Sequence, residues 1–268
     1  MPSKRKEALA SKRVRGRKKI ILVILEGKSD NKALMEILAN TCYTLDPNVE
    51  VYPRYLKPDP GRPDGGGDVT SKYGVNPDTI ERVIDKLVLR QFFVDQRLYP
   101  KDIFKVVQLV DTDGAFVDDS AIVEAAPNAH GLEYHDNAII APNVSKISER
   151  NAMKSENLRH LSGMSAIKTG FDKRKRAIPY RVYFFSSNLD HYLHGDANLP
   201  SNLKQLRAEE FRNDCAMRPS LFFETMQQDV DYVQCGYKES WSRIQIGCNS
   251  LQRHSNLGIF LDELAKEL

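Results

Sequence analysis

The sequence has little from which to build a zinc or disulfide framework. Its four cysteines, Cys42, Cys215, Cys235 and Cys248, are far apart and form no C-x-x-C pair, which argues against zinc ribbons and thioredoxin-like redox motifs. No apolar run approaches the ~18 residues needed to cross a bilayer. The longest, Ile20–Leu25, is strand-sized, so no membrane role is expected. No secretory h-region precedes it, and the expectation is a reducing cytoplasm with free, mostly buried thiols. No internal repeat is present.

What is present is ordinary for a folded chain. Apolar residues make up 41% and charged residues 28% of 268 positions, enough for one large α/β domain or one domain with a substantial insertion. The net charge is only +3, but it is unevenly spread. Residues 1–19 are crowded with Lys and Arg against the single acid Glu7, and the remainder is acidic overall. Such a tail is either a solvated, disordered arm or an arm that lies along phosphates and releases counterions. It is richer in Lys than transit peptides usually are.

Ile20–Leu25 (IILVIL) is continuous, apolar and rich in β-branched residues, as in a strand buried on both faces. A helix follows, with Ala33, Leu34, Ile37 and Leu38 on one face, and Val49–Leu56 reads as a second strand. Residues 57–75 are Pro-, Gly- and Asp-rich and read as a long loop. Asn76-Pro77 then resembles an N-cap with Pro at the first helical position, before a helix whose buried stripe is Ile80, Val83, Ile84, Leu87 and Val88. Phe104–Val110 is another buried strand and ends in Asp111-Thr112-Asp113-Gly114. The order β-α-β-loop-α-β predicts a mainly parallel sheet flanked by helices, with ligands gathered at the carboxyl ends of its strands. Further strands are predicted at Ala138–Ala141 and Arg181–Ser186. The start of the polar stretch from Asn143 to Arg181 is read as helical, and further helices are predicted near 202–213, 219–228 and 256–267. The expected organisation is a basic tail at 1–19, an α/β core at 20–120, and a part from 121 to 268 that completes the sheet and carries a basic, partly helical insertion at about 143–181.

The chemistry-bearing residues sit at two strand ends. Mg²⁺ is a hard ion that prefers oxygen ligands and keeps several waters. Carboxylates at adjacent strand ends can hold it while leaving positions open for phosphate oxygens. Asp111 and Asp113 straddle one residue where the pleat relaxes into a turn, so both are expected to converge on one side, and Gly114 permits close approach. Glu26 ends the other buried strand. Carboxylates brought together in this way repel one another unless a cation intervenes, which is the reason to read Glu26, Asp111 and Asp113 as one metal site for Mg²⁺ or Mn²⁺.

The segments ILVILEGKSDNKAL and FKVVQLVDTDGA resemble, respectively, the opening and the later D-x-D strand of Toprim domains, over roughly residues 20–120. Glu26-Gly27-Lys28-Ser29-Asp30 is most similar to the OLD-type and ribosomal-RNA-maturase branches, and Toprim nucleases also occur in phage defence. The resemblance implies that Glu26 binds metal or manages a proton, that Asp111 and Asp113 hold Mg²⁺, and that Asp30 helps hold a second ion. The stretch between the two segments is long, and no ATPase domain, topoisomerase tyrosine region or primase zinc module is identifiable. A small stand-alone nuclease is therefore expected, acting on DNA or RNA, with partner proteins of a defence system. The alternatives are a non-catalytic nucleic-acid- or protein-binding module with a vestigial Toprim site, and a small-molecule phosphotransferase or phosphohydrolase. Ser187-Asn188-Leu189-Asp190 is similar to the Ser-Asn-Pro motif of RloB-like defence proteins, with leucine in place of proline.

Other signals carry less. Helix capping alone accounts for Asp30. Gly27-Lys28-Ser29 is no Walker A motif, because Leu22 stands where a loop glycine is required. Lys28 and the cluster Lys173, Arg174, Lys175 and Arg176 are candidate nucleic-acid contacts that would offset the acidic site. Asp190, at a strand end, is a further candidate ligand. His191, His194 and Asp196, like the pair His130 and His135, have spacings compatible with a metal. Gly65-Gly66-Gly67-Asp68 reads as a flexible loop.

Overall fold

The structure, a computed structural model, describes residues 18–55, 68–127, 131–171 and 176–268. Ile20–Leu25 has no polar face to offer water, so it is stable only with both faces of its strand covered. It forms β1 (Lys19–Leu25), buried at every position from Ile20 onward. Its neighbours are β2 (Val49–Tyr55) and β3 (Ile103–Asp111), both parallel to it. Between β1 and β2 runs α1 (Lys28–Leu45), which buries Ala33, Leu34, Ile37 and Leu38.

The connection from β2 to β3 departs from a regular helix. Asn76 accepts from the backbone N–H of Asp78 at 3.1 Å, and its carbonyl takes the N–H of Ile80 at 2.9 Å, so regular helix begins only at Ile80. It runs as α2 (Ile80–Ile84), a π turn over Asp85–Leu89, and α3 (Arg90–Gln96). A π turn inserts an extra residue per turn and rotates the phase of everything after it. Leu87, expected in the buried stripe, is therefore exposed, while Asp85 and Leu89 are buried.

After β3 the chain forms a small second sheet of β4 (Ile122–Glu124), β5 (Glu133–His135) and β6 (Ala138–Ala141), in the order β4-β6-β5. The strand expected at Ala138–Ala141 thus exists, but it belongs to this sheet, with its own apolar cluster around Val117, Ile139 and Leu251. The predicted basic insertion resolves into α4 (Val144–Gly163), β7 (Ala166–Thr169) and the start of β8 (Arg176–Phe185). β8 pairs parallel with β3, opposing Phe185 to Asp111, and β7 is an antiparallel edge. The main sheet has the order β2-β1-β3-β8-β7. This is a mixed, mostly parallel α/β sheet flanked by helices.

The rest is helical: α5 (Leu189–His194), α6 (Ser201–Met217), α7 (Ser220–Gln227), α8 (Val230–Gln234), α9 (Tyr237–Arg243) and α10 (Leu257–Glu267). α6 packs on α1, and α10 packs on β8, α7 and α8. All four cysteines are free thiols, with Cys42 and Cys215 buried. Among the described residues no helix is long and apolar enough to cross a membrane. Because β2, β1, β3 and β8 all run the same way, Tyr55, Glu26, Asp111 and Ser186 reach a common edge of the sheet.

Candidate metal centre

At that edge the backbone N–H of Asp111 donates to Glu26 Oε1 at 2.9 Å, which fixes the carboxylate that follows β1 against the end of β3. The next residues turn sharply. Thr112 is fully buried, donating through Oγ1 to the Ser250 carbonyl at 2.8 Å. Asp113 then adopts a left-handed backbone with φ of 51°, a conformation that Asp tolerates better than most residues. Gly114 follows with φ of 67°.

This turn gives different partners to the two aspartates that the sequence pattern places together, although the charge of Asp113 still acts on Asp111. The left-handed residue breaks the strand's alternation, and the carboxylates take different partners. Asp111 Oδ1 accepts from the backbone N–H of Leu189, the first residue of α5, at 3.0 Å. Asp113 turns instead to Lys154 and Tyr134, accepting from the Tyr134 hydroxyl at 3.3 Å. The third member of the cluster is Asp68, the residue after Gly65-Gly66-Gly67 in the sequence. Its Oδ1 accepts from the backbone and hydroxyl of Thr70 at 2.7 and 2.6 Å, and its Oδ2 from the Ser71 hydroxyl at 2.7 Å. Glu26, Asp68 and Asp113 each offer an oxygen within 4.8 Å of the others. This partly buried triad could bind a metal ion.

A lysine sits among them. Lys154 of α4 is fully buried, with Nζ 2.9 Å from Asp68 Oδ2, 3.6 Å from Glu26 Oε1 and in direct contact with Asp113 Oδ2. The same helix holds both acidic loops in place. Arg150 Nη2 donates to the Asp113 carbonyl at 2.8 Å, and Asn151 Nδ2 to the Gly114 carbonyl at 3.2 Å. Asn157 Nδ2 donates to the carbonyls of Thr70 and Val75 at 2.8 and 3.2 Å. The spacing of 150, 151, 154 and 157 places these side chains on one face of the helix.

Lys154, with Arg150 and Lys204 nearby, does not offset the acids completely. Burial, then the negative charge of Asp68, raises the Glu26 carboxyl well above the usual range even against Lys154. Burial, then Asp30 and Asp113, does the same to Asp111. Burial also works against ionised Asp68, but the charge of Lys154 and the hydrogen bonds from Thr70, Lys154 and Ser71 outweigh it and hold the group below its ordinary value. Lys154 is held well above its own, since Asp113, Asp68 and Glu26 overcome the cost of its burial.

The other expected residues lie apart from the triad. Asp30 caps its own helix start, accepting from the Gly27 N–H at 2.9 Å and the Ser29 hydroxyl at 3.3 Å, and burial raises its pKa. Asp190 pairs with Lys204 at 2.9 Å. Lys28 is exposed at the first position of α1. Arg176 is exposed and opens β8 at the end of the sheet opposite Asp111, about 30 Å away along the strand at ~3.3 Å per residue. Lys173, Arg174, Lys175, His130 and the three glycines of 65–67 lie outside the described residues. His191 Nδ1 and His194 Nε2 are buried without partners, and no second three-ligand group forms among the described residues.

Asp68, Lys154 and Asn157 carry the arrangement and were not singled out for these roles by sequence. A signal for Lys154 existed: it falls on the stripe of Ile147, Asn151, Leu158 and Leu161, a cation where the helix faces inward. No protein-family model, curated protein or solved structure matches the chain.

Proposed function

We propose that this chain is a Mg²⁺- or Mn²⁺-dependent nuclease of the Toprim kind, cleaving phosphodiester bonds of DNA or RNA as a cytoplasmic phage-defence effector. The observation that carries the reading is the excess of negative charge at the carboxyl edge of a parallel sheet, where Lys154 pairs with Glu26, Asp68 and Asp113, and burial with the neighbouring acids still raises Glu26 and Asp111 against Lys154, Arg150 and Lys204. Carboxylate oxygens in such a cluster are the donor set that hard divalent ions prefer. Glu26, Asp68 and Asp113 would hold the ion, and Asp111 would support Glu26 through its backbone. When bound, a divalent cation supplies charge neutralisation and Lewis acidity toward a phosphate. Where the ion leaves it free, Glu26, whose carboxyl is raised by burial and by the charge of Asp68, would be the group to exchange a proton beside the reacting phosphate.

A second reading has its own support. Lys154 already contacts all three carboxylates, as expected of a non-catalytic binding module whose acidic site has become structural. Incubation with tRNA, plasmid and single-stranded DNA in Mg²⁺ or Mn²⁺ separates the two. A nuclease gives metal-dependent products that are lost in Glu26→Gln and Asp113→Asn. Absence of product from all three substrates, or full activity in both variants, overturns the nuclease.

A further inference from the structure

We infer that Lys154 and a divalent cation are alternative occupants of one carboxylate cradle, and that a phosphate anion decides between them, so that metal and phosphate load together. The inference rests on the metal-binding half of the proposed function and not on cleavage.

Lys154 Nζ reaches Asp68 Oδ2 at 2.9 Å, Glu26 Oε1 at 3.6 Å and Asp113 Oδ2 in direct contact. The residues it touches are the ones that form the three-ligand group. A small dication takes such oxygens at about 2.0–2.1 Å. An ammonium left in place would lie only a few ångströms from it, a like-charge contact that a low-dielectric site punishes. The two cations therefore exclude each other from the full triad.

The displaced ammonium has few places to go. Lys154 is fully buried, and the segment it faces is tied down by Asn157 through the carbonyls of Thr70 and Val75. On the same helix, the Arg150 guanidinium is already committed to the Asp113 carbonyl and the Tyr134 hydroxyl at 2.9 Å. A lysine deprived of its carboxylates there is a buried, unpaired charge, which is strongly disfavoured. A phosphate meeting the metal brings oxygens of its own to the ammonium and removes that cost. Metal alone must evict the lysine unaided, whereas metal with phosphate offers it a new partner. Favourable coupling between the two ligands follows, and by linkage it is reciprocal.

The test uses the full chain. Free Mn²⁺ is followed by electron paramagnetic resonance during titration, alone, with dimethyl phosphate as a minimal diester, and with a short oligothymidylate. Its neutral methylphosphonate analogue serves as control. For the wild type, Mn²⁺ affinity tightens about tenfold with either anion, tightens equally for the anion when Mn²⁺ is present, and is unmoved by the neutral analogue. Lys154→Met binds Mn²⁺ more tightly than the wild type without any anion, and its coupling falls toward one. Equal wild-type affinity with and without both anions overturns the inference, as does weaker Mn²⁺ binding in Lys154→Met. If that variant does not fold, the reciprocal wild-type titrations decide alone. Cleavage is scored separately on the same samples. Coupling without products keeps this inference and removes the nuclease, and products without coupling do the reverse.

Discussion

Glu26 is bound at the end of β3 by the backbone of Asp111, whose N–H donates to Glu26 Oε1 at 2.9 Å, and not by that residue's carboxylate. The two strand ends are thereby joined through a neutral donor. This predicts different outcomes for two substitutions. Glu26→Gln keeps the acceptor oxygen and removes the charge, so the variant folds and, without divalent ions, is at least as stable as the wild type at neutral pH. Glu26→Ala leaves the Asp111 N–H without its partner and costs about 1–3 kcal/mol. Urea midpoints check both, and a Gln variant less stable than the Ala variant would contradict the account.

Stability in the absence of metal carries a pH signature. Burial and neighbouring acids raise Glu26 and Asp111. Between the unfolded carboxylate value of about 4 and their raised native values, the folded chain therefore binds more protons than the unfolded chain. Stability then falls as pH rises through that window. Asp68 acts in the opposite sense, because its lowered value contributes stability that is present above about 4 and lost as pH falls through its native value. Relative to the wild type, the double variant Glu26→Gln, Asp111→Asn should show a flatter decline in urea midpoint as pH rises above about 4. An equal or steeper decline counts against the charge excess.

Removing the resident ammonium isolates the opposite effect. Lys154→Met leaves buried carboxylates without their counter-ion, a change that costs about 3–5 kcal/mol. Added Mn²⁺ should restore part of that loss in the variant and do less for the wild type. Thermal melts with and without the ion measure the difference.

Asn157 delivers Asp68 without touching it. Its amide bridges the carbonyls of Thr70 and Val75, and Asn157→Ala should cost about 1–3 kcal/mol. It should also weaken Mn²⁺ binding, because the segment carrying Asp68 is no longer held. Unchanged Mn²⁺ affinity in a folded Asn157→Ala protein would assign the residue to stability alone.

Gly114 is constrained twice. Its φ of 67° is costly for a residue with a side chain, and a Cβ would meet Leu251 Cδ2 at 2.5 Å and Ile139 Cδ1 at 2.9 Å. Gly114→Ala should lose about 1–2 kcal/mol from the backbone alone, with a further loss from displacing the buried Leu251. A melting temperature equal to that of the wild type would refute this.

Much of the core was legible in the chain because its signals are local. Ile20–Leu25 can form only a strand covered on both faces, and the strand end before Asp111 has the same character. The stripe of Leu257, Phe260, Leu261 and Leu264 identifies the last helix without reference to anything else. Where a local pattern was extrapolated, the structure added detail: the π turn shifted Leu87 to the surface, and around the left-handed backbone of Asp113 the two aspartates take different partners.

By itself, the sequence determined that a parallel sheet would bring Glu26 and the Asp111–Asp113 turn to one edge, since apolar periodicity and strand polarity are properties of adjacent residues. The tertiary structure decided which acids meet. Asp68 and Lys154 are 86 residues apart, and only the packing of α4 across that edge puts Nζ within 2.9 Å of Oδ2. It also decided where the positive charge falls, sending Arg176 to the far end of β8 and Lys154 into the acidic cluster. Such pairings depend on how helices dock on the sheet, and that depends on the whole packed core.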